Sequence, residues 1–131
     1  MRDWRNPRGW TLIELTIVIS LITVLSTIAL VGYGNAVARS REAVLKEDLF
    51  RMRDAIDQHY ADLGEYPPDL HALVSAGYLR AIPEDPMTRS SETWVVVPAE
   101  PDPADPFVQG VYDVRSGSEG IAFDGTTYAD W

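Results

Sequence analysis

Glu14 is the only ionisable side chain between Trp10 and Val31, a run of 22 residues otherwise made of apolar and hydroxyl-bearing types. A run of that length spans the hydrocarbon core of a bilayer, about 30 Å, as an α-helix. A carboxylate there is costly to insert, which makes Glu14 a candidate functional group by default. Immediately before it, Arg8-Gly-Trp-Thr-Leu-Ile-Glu-Leu carries a glycine–aromatic junction at Gly9–Trp10, and Glu14 follows Trp10 by four residues.

Other residue types offer less chemistry. His59 falls on or beside an apolar helical stripe, where a packed or half-exposed imidazole is the expectation, and His71 stands alone. No Ser-His-Asp order, glycine-rich phosphate loop or histidine pair at metal spacing is present, so the sequence predicts a protein that is not an enzyme. There are no cysteines, hence neither a disulfide framework nor a thiolate metal site. The formal net charge of −9 is unevenly spread: residues 1–53 carry eight basic and five acidic side chains, residues 54–131 three basic and fifteen acidic. That acidity argues against nucleic-acid binding, which needs clustered Lys and Arg. Arg2, Arg5 and Arg8 precede the apolar run against a single Asp3, which keeps the amino terminus cytoplasmic and sends the remainder outward.

The elements that position these groups follow from pattern. Residues 1–9 read as a polar leader and 10–35 as the membrane and assembly half of a long helix. Residues 36–131 read as a globular head, comprising helix 36–63 and a variable segment with a sheet over 64–131. Leu45, Leu49, Met52, Ile56, Tyr60 and Leu63 recur at helical spacing, with Glu47, Asp54, Asp57 and Asp62 on the opposite face. If the two parts join across Gly32 and Gly34, one helix runs from Trp10 to Leu63, roughly 80 Å at 1.5 Å per residue. Gly64 and Pro67-Pro68 end it, and Asp69 caps a short helix closed by Gly77. Thr93–Val97, Phe107–Val114 and Ile121–Phe123 read as strands, separated by the proline-rich, acidic connection Pro98–Pro106 and the turn Ser116–Gly120. Tyr128 and Trp131 can fold the tail back onto the sheet. The predicted class is α+β, a long amino-terminal helix packed on a small carboxy-terminal antiparallel sheet.

The basic leader, the Gly9–Trp10 junction and Thr11-Leu-Ile-Glu14 resemble the prepilin peptidase site of the type IV pilin and pseudopilin superfamily. That resemblance implies cleavage between Gly9 and Trp10 by an inner-membrane peptidase and methylation of the new amino terminus on Trp10. Glu14 matches the family's glutamate, which pairs with the ammonium of a neighbouring copy and fixes axial register. The family usually has phenylalanine where this chain has Trp10, and many members have proline where it has Val31. Two other readings of the segment remain. One is an ordinary single-pass anchor with Glu14 near the interface. The other is a secretory signal ending at Ala36-Val-Ala38, although its apolar core exceeds the usual length of roughly 7 to 15 residues.

Over residues 37–131 a second resemblance applies. Asp62-Leu-Gly-Glu-Tyr-Pro-Pro-Asp-Leu70, Leu73, Gly77-Tyr-Leu79 and Pro83-Glu-Asp-Pro86 look like the major pseudopilin of type II secretion systems, as does the ending Tyr112-Asp-Val, Ser116–Gly120, Asp124-Gly and Tyr128-Ala-Asp-Trp131. Major pseudopilins hold one calcium ion before the carboxy terminus, which makes Glu119, Asp124 and Asp130 the candidate ligands, with carbonyls around Ser116 and Ser118. The alternative is solvated turn acids with Trp131 docked on the sheet.

The resemblance implies a structural subunit that polymerises with copies of itself from the inner membrane into a periplasmic pseudopilus. Its implied partners are the membrane, the prepilin peptidase, minor pseudopilins, a platform protein and an assembly ATPase. Two alternatives are a pilin of a type IV pilus and a membrane-anchored periplasmic binding domain.

Overall fold

The structure is a computed structural model that describes residues 7–101, 103, 104, 106 and 109–131, with residues 7–10 described as backbone only. Most of the leader, with Arg2, Asp3 and Arg5, lies outside the described residues, as do Phe107 and Val108 at the predicted start of the second strand. The chain divides into two compact units, one ending at Ala38 and the other comprising Arg39–Trp131.

One α-helix, α1 (Pro7–Leu63), runs through both predicted helical parts without a break at Gly32 or Gly34. Pro7 suits its first position, because proline has the required φ and lacks only an amide that would have no helical acceptor. Gly64 ends it: with φ at 74° it takes the left-handed geometry that closes a helix, and its amide donates to the Tyr60 carbonyl at 2.8 Å. In the first unit every side chain from Thr11 to Ala36 is exposed. An 18-residue window of the helix near the amino terminus has a mean hydropathy of 2.4, long and apolar enough to cross a membrane.

The second unit has its own core. Leu45, Leu49, Met52 and Ile56 of α1 are buried against Leu73 of α2 (Leu70–Ser75), Trp94, and Val111 and Val114 of the sheet. Asp69 starts α2 by accepting the Ala72 amide at 2.8 Å, and Gly77 follows it with φ at 87°. The buried face of α1 differs from the predicted stripe at its end. Tyr60 and Leu63 are 46% and 59% exposed, while His59 is 5% exposed. After Gly64 the chain returns on the His59 side. The His59 Nδ1–H donates to the Glu65 carbonyl at 2.9 Å, and Tyr60 stacks instead on Tyr66 with ring centroids 4.5 Å apart.

The sheet has two antiparallel strands, β1 (Val95–Pro98) and β2 (Val111–Arg115). Val96 pairs with Val114 and Val97 with Asp113, but Pro98 pairs with Val111. The irregularity gives β2 one extra residue, which lets Val111 and Val114 face the core despite a spacing of three. The predicted third strand at Ile121–Phe123 is only a single bridge, Ile121 to Thr127. The Asp124-Gly125 turn reverses the chain too soon for a ladder, and a carboxylate of α1 takes the Phe123 amide. Gly117 sits where β1 begins, and a Cβ there would collide with the Thr93 carbonyl, so the loop after β2 can pass only with glycine.

Candidate functional site

Two regions carry the predicted site residues. Gly9 and Trp10 lie in the opening turns of α1. Glu14 is on the same helix, exposed, beside Ile13, Ile17 and Val18. Four hydroxyl side chains of this segment bond back to their own helix. Thr16, Ser20, Thr23 and Thr27 each donate to the carbonyl four residues earlier, at 2.8 to 2.9 Å. An ionised carboxylate has no proton to give back to its own helix, since it only accepts. Among the described residues nothing donates to Glu14.

The second region is the segment Ser116–Trp131, in which a chain of short contacts starts from the buried interior. Asp85 is fully buried and accepts the Ser116 hydroxyl at 2.6 Å and the Met87 amide at 2.8 Å. The Ser116 oxygen in turn accepts the Ser118 amide, and the Ser118 oxygen the Gly120 amide. At the turn, Asp124 Oδ1 accepts both the hydroxyl and the amide of Thr126, which hold its pKa below the usual carboxylate range, with a smaller contribution from Lys46. Thr126 Oγ1 accepts the Trp131 indole N–H at 2.6 Å.

Three charged side chains of α1 tie this segment down. Glu42 Oε1 accepts the Phe123 amide at 2.9 Å and the Tyr128 hydroxyl at 2.8 Å; burial, then this bond, raise the pKa of Tyr128. Arg53 donates to Asp113 Oδ1 at 2.6 Å, to the Val114 carbonyl at 2.9 Å and to the Trp131 carbonyl at 2.7 Å. Lys46 Nζ lies 4.3 Å from the centroid of a Trp131 ring, within cation–π range. Sequence reasoning did not single these residues out. Their spacing of four and seven places them on one helical face beside the apolar stripe, and that was the available signal.

The predicted calcium ligands are not gathered. Glu119, Asp124 and Asp130 are each exposed. Among the described residues no group of three or more His, Cys, Asp or Glu side chains is placed to hold a metal ion. Calcium takes six to eight oxygens, several of them from carboxylates, and here Oδ1 of Asp124 already accepts the hydroxyl and the amide of Thr126. The residues present do not fit that ion.

A long apolar helix with one acid, leading into a helix-on-sheet head, can be set against known proteins. The type II secretion system core protein G of Klebsiella pneumoniae is 30% identical over 134 residues, covering 89% of this chain and 94% of that protein. The chain belongs to the pilin-like family of core protein G, the major pseudopilins. The core protein G of Vibrio cholerae is 23% identical over 139 residues, 95% of this chain and 93% of that protein. Fimbrial protein EcpC of Eikenella corrodens is 35% identical over 80 residues, 57% of this chain and 52% of its own length. The fimbrial likeness thus spans about half of each chain, and the core protein G likeness nearly all. No family profile matches the chain, and no solved structure matches it. Pseudopilins and pilins are structural proteins, and pseudopilin or pilin function follows for this member of the family.

Proposed function

We propose that this chain is the repeating subunit of a type II secretion pseudopilus. It is inserted with its amino terminus cytoplasmic and its head periplasmic, an orientation supported by Arg2, Arg5 and Arg8. A prepilin peptidase removes residues 1–9 between Gly9 and Trp10, and Trp10 is methylated. Glu14 then accepts the new ammonium of a neighbouring copy, a pairing that lowers the cost of both charges in an apolar surround. Residues 10–35 form the filament core and residues 36–131 its surface. Minor pseudopilins, a platform protein and an assembly ATPase act on the growing polymer, whose extension pushes proteins through an outer-membrane channel.

The observation that carries this reading is the end-to-end likeness to core protein G, joined to an exposed apolar helix whose one acid needs an outside partner. The fimbrial likeness favours a type IV pilus pilin as a second reading, although it is confined to about half of the chain. The test is overexpression in cells with the secretion system, imaging of surface filaments and mass analysis of their subunit. A subunit beginning at methylated Trp10 is expected, and Gly9→Val should retain the leader and yield no filaments. Filaments assembled from subunits that still begin at Met1 would contradict the proposal.

A further inference from the structure

We infer that this chain closes its carboxy-terminal loop without a divalent cation, with Glu42, Lys46 and Arg53 of α1 doing what a calcium ion does in a metal-ordered loop. A bound ion of that kind acts as a cross-link: it draws separate stretches of a loop onto one centre and neutralises their acids. Both tasks are filled here by side chains. Glu42 Oε1 joins the two arms of the turn, taking the amide of Phe123 on one side and the hydroxyl of Tyr128 on the other. Arg53 joins β2 to the tail, since one guanidinium donates to Asp113, Val114 and Trp131. Positive charge arrives from the helix as well: Lys46 lies over a Trp131 ring, and Lys46, Arg53, Asp124, Thr126 and Trp131 line a common recess. At the turn itself polar groups pair with one another, Asp124 with Thr126 and Thr126 with the Trp131 indole. The inference concerns the head alone and does not depend on how copies assemble.

The experiment is thermal unfolding of the full chain in detergent, in chelator and in millimolar calcium, followed by hydrogen exchange on the peptide containing residues 121–128. A micromolar calcium site at millimolar calcium would raise Tm by roughly ten degrees or more in a domain of this size. Coincident melts are expected. Glu42→Ala should speed exchange of the 121–128 peptide roughly tenfold, the loss of a charge-assisted bond, with no recovery on adding calcium. Glu42→Gln, which keeps the shape and one acceptor, should fall between. A calcium-dependent rise in Tm that disappears in Asp124→Asn would overturn the inference. So would exchange in Glu42→Ala equal to that of the wild type.

Discussion

Leu21 and Leu25 of α1 are 58% and 66% exposed, whereas Leu45 and Leu49, further along the same helix, are 0% and 2% exposed. One continuous element thus obeys two rules. Beyond Arg39, Leu45 and Leu49 are covered by α2, Trp94 and the sheet, and charged residues occupy the other face. From Thr11 to Ala36 the side chains, mostly apolar, are exposed all round the helix. A helix that is apolar all round is stable only when something else surrounds it, and lipid or identical helices can do so. The comparison separates what folds the head from what assembles the molecule.

The largest expected effect comes from cutting into the head's core. Leu45→Ala should cost about 2–5 kcal/mol of head stability, read from urea unfolding of the detergent-solubilised chain. Leu21→Ala, an equal truncation on the exposed segment, should stay within about 0.5 kcal/mol. Equal losses for the two would abolish the distinction between the regions. Next comes Ser116→Ala, which strips the buried Asp85 carboxylate of a hydroxyl donor held at 2.6 Å. A loss of about 1–3 kcal/mol is expected, measured as a lower urea midpoint at unchanged slope.

The smallest effect concerns Asp48. Burial raises its pKa; Arg51 opposes the shift, and Glu47 and the buried Asp85 add to it. A carboxyl whose folded pKa lies above its unfolded value favours the fold when protonated, and that contribution is lost as pH rises through the folded pKa. At neutral pH Asp48→Asn should therefore raise Tm, by less than about 4 °C, and the gain should vanish as the medium is acidified past the ordinary aspartate range near about pH 4. A gain that persisted in acid would point to a cause other than charge. Asp124 titrates in the opposite sense: its bonds to Thr126 support the loop fully above the ordinary aspartate pKa, and that support is lost as pH falls to and through the lowered folded pKa.

Local signals in the sequence were enough for much of this architecture. The 3.6-residue recurrence of Leu45, Leu49, Met52 and Ile56, the Asp69 cap and the glycines at 64 and 77 act within a few residues, and each appears where those rules put it. The long helix and the α+β class follow from them. Features set by distant contacts were not legible. His59 replaces Tyr60 in the buried face because Glu65 returns on its side. Ile121–Phe123 fails as a strand because Glu42, 81 residues from Phe123 in the chain, captures an amide there. The acids of the carboxy-terminal loop suggested a metal only through family likeness, whereas Asp124 bonds to Thr126 and the loop around it is held by Glu42, Lys46 and Arg53 of α1, more than 60 residues away in the chain. For the assembly segment the position of Glu14 was plain from composition alone, since one acid among apolar residues needs no tertiary knowledge to notice.

The central claim is that this acid is satisfied by another copy of the chain. Its most direct test is co-expression of wild-type subunits with Glu14→Ala subunits carrying a distinguishing mass, followed by shearing and quantifying the filaments. The variant should insert into the membrane as well as the wild type yet be depleted from filaments roughly tenfold or more, the scale of one lost buried charge pairing. Incorporation of Glu14→Ala subunits in proportion to their abundance in the membrane would contradict the account.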